Sequence, residues 1–157
     1  MLLNLLKQPS IIILLSSILS CLSAQTIKIL FNFIRLKKFD FGILFRTGGM
    51  PSSHSAMVTS LATSVALIDG WTNVSFALAV CFSLIVMYDA SGVRRSVGIQ
   101  ASIINKMIRD FNTENPEQQM KNVKEIIGHT PFEVLAGALF GILVGWLNYK
   151  LLGNIQQ

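Results

Sequence analysis

Charge is scarce in this sequence. Only 13% of its 157 residues are Asp, Glu, Lys or Arg, 52% are hydrophobic, and the mean hydropathy is +0.57. A soluble domain carries roughly twice that share of charge, about 25%. The composition therefore excludes a soluble enzyme and is typical of an integral membrane protein. The length allows one domain, and we interpret residues 1–157 as a single membrane-embedded unit.

Cysteine and histidine are also scarce, with two of each. Cys21 and Cys81 both lie inside apolar runs, where we interpret them as small packing residues rather than a disulfide or a metal pair. Two histidines and scattered carboxylates form no recognisable ligand spacing, so we expect no metal and no other cofactor. The net charge of +5 is not interleaved with exposed aromatics, which argues against nucleic acid as a partner.

The apolar residues form four runs of near-membrane length. We predict helices over 9–34, 55–68, 74–88 and 132–152. Lys7 and the run after it resemble a signal peptide, and Ile18 to Cys21 resembles a lipoprotein cleavage site. Because apolar character resumes after Cys21, an uncleaved first transmembrane helix is favoured. The predicted fold is an all-α, polytopic membrane helix bundle of about four transmembrane helices plus one or two amphipathic interfacial helices.

Two segments between the third and last runs carry apolar residues at helical spacing. Residues 97–108 predict an amphipathic helix on or beside the membrane, and residues 118–127 predict a second, short one. The polar stretch 111–119 is predicted to be a surface loop. In the last run, small residues recur at every fourth position, which predicts a close-packing helix face: Gly137, Gly141 and Gly145.

Four spans would put both chain ends on one side of the membrane and most basic residues on the other. By the positive-inside rule, the basic side is cytoplasmic. We therefore expect a protein of a bacterial cytoplasmic membrane whose active-site face is cytoplasmic. The basic residues of that side are Arg35, Lys37, Lys38, Arg46, Arg94, Arg95, Lys106, Arg109, Lys121 and Lys124.

The stretch from Arg46 to His54, Arg-Thr-Gly-Gly-Met-Pro-Ser-Ser-His, directly precedes the second helix. Gly49 lets the backbone approach a ligand, and Ser52 and Ser53 offer N–H groups at a helix N-terminus, which favours an anion. Arg46 adds positive charge, and His54 can donate a proton near neutral pH. The stretch predicts a phosphate site that contains an acid. The alternative is a turn that starts a transmembrane helix, with serines as caps.

Further charged residues are predicted at the same membrane face. Lys28 and Arg35 are seven residues apart and share a helix face. Arg94 and Arg95 can bind phosphate oxygens with planar forks, or they can act as juxtamembrane anchors. Asp89 either orients one of these arginines or forms a structural ion pair. Isolated charges at membrane depth are costly and usually functional.

His129 and Glu133 are four residues apart at the start of the last helix. The carboxylate can hold one ring nitrogen of His129 and leave the other as a nucleophile. Glu133 also completes a capping box with Thr130, and Pro131 suits the first helical position. With His54 as acid, the two histidines can divide phosphoester cleavage between them: one attacks phosphorus, the other protonates the leaving alkoxide.

Three runs resemble a known family. They are GGMPSSHSA (48–56), YDASGVRR (88–95) and GHTPFEVLAGALFG (128–141). They are similar to the divergent acid phosphatase/vanadium-dependent haloperoxidase-related family, a distant branch of the type 2 phosphatidic acid phosphatase superfamily. The resemblance covers nearly the whole chain, and it implies a membrane-embedded phosphatase.

The first two superfamily motifs are Lys-x6-Arg-Pro and Pro-Ser-Gly-His. Lys28 and Arg35 resemble the first, with Leu36 in place of its proline. Residues 51–54 resemble the second, with Ser53 in place of its glycine. The resemblance implies phosphate binding by the first pair and a proton-donor role for His54.

The third superfamily motif, Ser-Arg-x5-His-x3-Asp, is matched only at its end. His129 and Glu133 resemble its final residues, which implies the nucleophile role for His129. Asn122 and Val123 stand where Ser-Arg is expected. We hypothesise that Arg94 or Arg95 supplies the missing guanidinium from another segment. The superfamily usually has six spans, so four imply a reduced bundle with a narrower pocket, or a homodimer.

The leading hypothesis is a metal-independent integral membrane phosphatase that hydrolyses a lipid phosphomonoester or diphosphate through a phosphohistidine at His129. Candidate substrates are phosphatidate, phosphatidylglycerophosphate and isoprenyl (di)phosphates, with the tail among membrane lipids and the headgroup at the basic site. The alternative is a non-catalytic membrane protein that binds anionic lipid headgroups. Haloperoxidase activity in a vanadate-loaded pocket is a third hypothesis, which the membrane setting disfavours.

Overall fold

The structure is a computed structural model, and it describes residues 8–37, 49–114, 117, 119–125 and 128–153. The described part is mostly helical, as predicted. Its elements are α1 (Pro9–Leu36), α2 (Ser53–Ile68), α3 (Val74–Tyr88), a π-helical turn (Asp89–Val93), α4 (Arg94–Glu114) and α5 (Pro131–Gly153). The predicted fold class is confirmed, and the four apolar helices begin and end within two residues of the predicted positions.

Three helical stretches are long and apolar enough to cross a membrane, by length and composition: Pro9–Ile34, Val74–Glu114 and Pro131–Leu151. With 16 residues, α2 is shorter, about 24 Å against a hydrocarbon core of about 30 Å. It packs against α1, α3 and α5, and ten of its residues are buried. The short helix is therefore the centre of the bundle, and its N-terminus is held by its neighbours.

The glycine row of α5 lies directly against α2. A Cβ at Gly137 would overlap the Ser52 carbonyl, and one at Gly141 would overlap the Ala56 carbonyl and the Thr59 hydroxyl. Only glycine allows two helix backbones to approach this closely. The predicted close-packing face is confirmed, and it fixes the first turn of α2 beside the first turn of α5.

Serine hydroxyls join α2 to its other two neighbours. Ser60 Oγ donates to the Ser16 carbonyl of α1 at 3.1 Å. From α3, Ser83 Oγ donates to the Val58 carbonyl of α2 at 2.8 Å. Both serines are almost fully buried, where such interhelical hydrogen bonds stabilise contacts that apolar packing alone would leave loose.

The chain after α3 differs from the prediction. The helix does not stop at Tyr88 but continues through the π turn into α4, so residues 111–114, predicted as loop, are helical. The short helix predicted over 118–127 is wrong for residues 119–125, which are irregular. The physical reason is a competing partner: backbone groups of this segment hydrogen-bond to Asn105 and Asn112 of α4.

Candidate active site

His129 and Glu133 meet at the start of α5. The Thr130 N–H donates to Glu133 Oε2 at 3.0 Å, and the Glu133 N–H donates to Thr130 Oγ1 at 3.3 Å. This is the capping box that the sequence predicts. The same carboxylate oxygen lies 3.3 Å from His129 Nδ1. Glu133 therefore has both arrangements that the sequence suggested, capping the helix and orienting the imidazole.

The backbone of His129 is anchored to the π turn. Its N–H donates to the Ala90 carbonyl at 3.0 Å. In a regular helix that carbonyl would accept from the N–H of Arg94, but in the π turn Arg94 donates to the Asp89 carbonyl instead. The extra residue of the π turn thus leaves the Ala90 carbonyl without its usual helical donor, and this carbonyl accepts from the His129 N–H instead.

Gly128 completes this contact. A Cβ at Gly128 would overlap the backbone of Arg94 and Arg95, so the chain here rests directly on the first turn of α4. Neither Ala90 nor Gly128 was among the predicted site residues. For Ala90 the sequence holds no signal, since its carbonyl is freed only by the π turn. For Gly128 the sequence offered one indication of a close backbone contact: it is a glycine directly before a candidate nucleophile.

His54 lies in the first turn of α2, close to the start of α5. Ser52 is the N-cap of α2, and its own N–H donates to the Glu133 carbonyl at 3.1 Å. This bond ties the turn that carries His54 to the turn that Glu133 opens. His129 is almost fully buried, 2% exposed, whereas His54 is exposed. The two imidazoles thus belong to adjoining helix starts but meet different surroundings.

Lys28 brings a buried positive charge to the same place from α1. Its residue is 5% exposed. Its charge acts on both His54 and His129, and the Glu133 carboxylate acts on it in turn. Gly49, with φ of 83°, lies beside it: a Cβ there would be 4.0 Å from Lys28 Cδ. A buried cation next to a glycine with open backbone suits a phosphate group.

Arg94 and Asp89 form an ion pair at the exposed side of the site. Arg94 Nε lies 2.7 Å from Asp89 Oδ2, and the two side chains are 44% and 41% exposed. Both charges act on His54. Arg95 is exposed on the next position of α4. Of the two arginines, Arg94 is the one whose charge acts on His54.

Ser52 and Ser53 are buried, 0% and 2% exposed. The hydroxyl of Ser52 accepts from the Ser55 N–H at 3.4 Å, and the Ser52 N–H is already used by Glu133. Within the described part of the chain, the N–H groups of Ser53 and His54 have no hydrogen-bond partner. Pro51 lies just before the N-cap, Ser52. The N-terminus of α2 can therefore offer two N–H groups to an anion, those of Ser53 and His54.

The surroundings of His129 favour its neutral form. Burial lowers the pKa of His129 below its ordinary value of 6.5, and the Lys28 charge lowers it further, against the opposing hydrogen bond and charge of Glu133. If Nδ1 carries the proton and donates to Glu133, the lone pair of Nε2 is free. A neutral imidazole oriented in this way is a nucleophile.

Six predicted residues form one electrostatically coupled group, flanked by Gly49, Ser52 and Ser53. They are Lys28, His54, Asp89, Arg94, His129 and Glu133. Arg46 and the Arg35 side chain lie outside the described residues. Where the structure describes side chains, it brings together no three His, Cys, Asp or Glu that would hold a metal ion.

Comparison with known proteins identifies the family. The model of the divergent PAP2 family matches residues 10–144. The chain belongs to the divergent PAP2 family. The uncharacterized membrane protein YuiD of Bacillus subtilis (strain 168) is 45% identical over 141 residues, which cover 83% of this chain and 89% of YuiD. No solved structure matches the chain.

Membership of the divergent PAP2 family confirms the family resemblance that the sequence motifs indicated. It agrees with the three apolar helices of membrane-spanning length, so the chain is an integral membrane protein. The matched range, 10–144, contains every residue of the candidate site. The name of YuiD describes a membrane protein and gives no reaction.

Proposed function

We propose that this divergent PAP2 protein is a lipid-phosphate phosphatase that works through a phosphohistidine at His129, without a metal. The observation that carries the proposal is the arrangement at His129. A buried imidazole, whose pKa is lowered by burial and by the Lys28 charge, is oriented by Glu133 and lies near an exposed His54. This is a nucleophile, an orienting carboxylate, a cation and an acid in one place.

In the first step, His129 Nε2 attacks phosphorus. A P–N bond forms, the P–O bond to the lipid breaks, and its electron pair goes to the leaving oxygen, which takes a proton from His54. In the second step, a water oxygen attacks phosphorus while His54 accepts the water proton. The P–N bond breaks, its electron pair returns to Nε2, and inorganic phosphate leaves.

Charge on the transferred phosphoryl group would be stabilised from two sides. Lys28 and the N–H groups of Ser53 and His54 face it from the buried side. Arg94, oriented by Asp89, faces it from the exposed side and takes the place of the missing Ser-Arg pair. Positive charge placed where three equatorial oxygens become more negative accelerates phosphoryl transfer.

A lipid substrate fits the surface that leads to this group. On α3, Ile85 and Tyr88 are 67% and 74% exposed just before the π turn. In a membrane, those side chains meet acyl chains, so a lipid tail can stay in the bilayer while its phosphate reaches Arg94 and His54. Phosphatidate, phosphatidylglycerophosphate and isoprenyl (di)phosphates all meet this description.

The test is phosphate release from these lipids, in detergent with EDTA, by the purified protein. We expect the wild type to release phosphate, and His129→Ala and His54→Ala to abolish release with the protein still folded. Lys106→Ala, which removes an exposed cation elsewhere on α4, serves as the matched control and should keep full activity.

Trapping the intermediate separates catalysis from binding. With a radiolabelled lipid phosphate, the wild type should retain an acid-labile label that His129→Ala lacks. Tight lipid binding without release or label, in folded protein, would overturn the proposal and leave a headgroup-binding protein. Release that EDTA abolishes would overturn the metal-independent mechanism.

We also propose that the site faces the cytoplasm, since Lys28, Arg94 and Arg95 lie at it and the positive-inside rule assigns basic residues to the cytoplasmic side. A cysteine at Asp110, exposed on α4, in protein with Cys21 and Cys81 replaced, tests this. An impermeant thiol reagent should leave it unlabelled in intact cells and label it in lysed ones. Ready labelling in intact cells would put the site on the opposite face.

A further inference from the structure

The segment that follows α4 is bound to that helix through asparagine side chains. Asn105, 4% exposed, donates through Nδ2 to the Val123 carbonyl at 3.0 Å and to Glu125 Oε1 at 2.8 Å. Its Oδ1 accepts from the Val123 N–H at 2.8 Å. One buried amide therefore satisfies both backbone groups of Val123, as a neighbouring β-strand would.

Asn112 binds Met120 in the same way. Its Nδ2 donates to the Met120 carbonyl at 2.8 Å, and its Oδ1 accepts from the Met120 N–H at 2.7 Å. The two asparagines are seven residues apart on α4, about 10.5 Å along the helix. Met120 and Val123 are three residues apart, which in an extended chain is roughly 10 Å. The spacings match, so residues 119–125, here called the strap, run antiparallel to α4 in one register.

The strap leads toward the contact that holds His129. After it, Gly128 rests on the backbone of Arg94 and Arg95, and the His129 N–H reaches the Ala90 carbonyl at 3.0 Å. A slip of the strap by one residue would move the following chain by about 3.3 Å. Such a slip would bring a residue with a side chain to the position of Gly128, where the backbone of Arg94 and Arg95 leaves no room for a Cβ. The chain would have to move off α4 there, and His129 would lose its contact with Ala90.

We propose that Asn105, Asn112 and Gly128 are positioning residues: they set the register of the strap along α4 and so hold His129 at the π turn beside Arg94. The asparagines select the register, and Gly128 allows the final contact. None of the three touches the phosphate. Their effect on catalysis rests on the phosphatase function proposed above, but their effect on the placement of His129 does not.

The two-histidine composition makes the placement measurable. Protein with isotopically labelled histidine gives two backbone amide signals, and His54→Ala assigns them. Hydrogen exchange at the His129 amide reports its bond to the Ala90 carbonyl, and thermal unfolding of each variant reports the stability of the whole bundle. The protein is used full-length in detergent micelles.

Asn105→Ala removes three hydrogen bonds of a buried amide, so exchange at the His129 amide should accelerate about tenfold or more. Ser102→Ala, an exposed position on the same helix, should leave it unchanged. Gly128→Ala should accelerate it too. Gly92→Ala is its matched control, because a Cβ at Gly92 meets only the Tyr88 ring at 3.9 Å, an ordinary contact.

A rescue variant separates register from general stability. Asn105→Asp alone places a carboxylate against Glu125 and should accelerate exchange. Adding Glu125→Gln gives that carboxylate a donor again and should recover part of the protection. Asn112→Ala, nearer the surface, should give a smaller acceleration and serves if Gly128→Ala does not fold.

Unchanged exchange at His129 in both Asn105→Ala and Asn112→Ala would overturn the proposal. An acceleration at His129 no larger than the loss of global stability in thermal unfolding accounts for would also overturn it, because the whole bundle would then be loosened. In the phosphate-release assay, Asn105→Ala should lower kcat more than it changes KM. If the wild type released no phosphate from any lipid, the proposed function would fail, while the amide measurement would still decide the positioning role.

Discussion

The candidate site has a buried half and an exposed half. His129 and Lys28 are 2% and 5% exposed, and they lie among helix starts packed on glycine and serine. His54 is exposed, and the side chains of Asp89 and Arg94 are 41% and 44% exposed. Each half of the site thus contains one imidazole and one cation.

The difference assigns separate tasks to the two halves. Charges in the buried half are little screened and their positions are set by packing, so they orient and activate the nucleophile at low cost of reorganisation. Charges in the exposed half are screened by water and salt, but a substrate can reach them. Variants of the buried half should therefore act on the chemical step, and variants of the Asp89–Arg94 pair in the exposed half should act on substrate capture.

Glu133→Gln should have the largest effect in the buried half. The glutamine oxygen can still accept from the Thr130 N–H, so the cap is kept, but the carboxylate that holds His129 Nδ1–H is lost. We expect kcat for phosphate release to fall about 10³-fold. Thermal unfolding, measured alongside, should change little.

Thr130→Ala is the matched control for the two roles of Glu133. It removes the hydroxyl side of the capping box and should cost about 1 kcal/mol of stability, while His129 keeps its carboxylate and most of its rate. If Thr130→Ala lost as much activity as Glu133→Gln, the capping role would explain both variants and the orienting role would be rejected.

Lys28→Met should have the next largest effect. It keeps the volume of the side chain but removes the buried charge, so we expect a fall of about 10²-fold in kcat. Stability should stay level or rise, because a buried charge is costly unless fully paired. Lys106→Met, at an exposed position, is the comparison. Equal rates for Lys28→Met and wild type would remove Lys28 from the proposed mechanism.

The sequence predicted the parts of this fold that depend on local pattern. The bounds of α3 follow from an uninterrupted apolar run, the start of α5 from the capping box at Thr130 and Glu133, and the seam with α2 from the glycine row. Each of these features is carried by residues close together in the chain. The convergence of charged residues at one end of the bundle followed from counting spans.

The sequence could not predict the parts that depend on distant partners. Asp89, Ser91 and Gly92 are weak helix formers, so the π turn was expected to be a break between helices. Met120 and Val123 have helical spacing, but asparagines of α4 bind their backbone groups and exclude the helix. The contact of His129 with Ala90 needs both features, so it was visible only in the structure.

Arg94→Ala tests the exposed half and should have a smaller effect. We expect about a tenfold loss of kcat/KM, mainly through KM, and a loss that shrinks at high salt because the group is solvated. Stability should fall by no more than about 1 kcal/mol, as for other exposed ion pairs. Arg95→Ala should lose less. A larger loss at Arg95 would assign the guanidinium role to that residue instead.

The smallest effect is a shift in pH dependence that links the two halves. His129 must be neutral to attack, and burial, followed by the Lys28 charge, lowers the pKa of His129 below 6.5. The rate should therefore persist below pH 6.5 and fall only as pH drops through that lowered pKa. In Lys28→Met one of the three lowering causes (burial, Lys28 and His54) is gone, so the acid limb of the pH–rate profile should move upward, toward 6.5. Arg94→Ala should leave the acid limb in place. An acid limb above pH 6.5 in the wild type would mean that Glu133 outweighs burial, and the nucleophile would then be protonated over most of the physiological range.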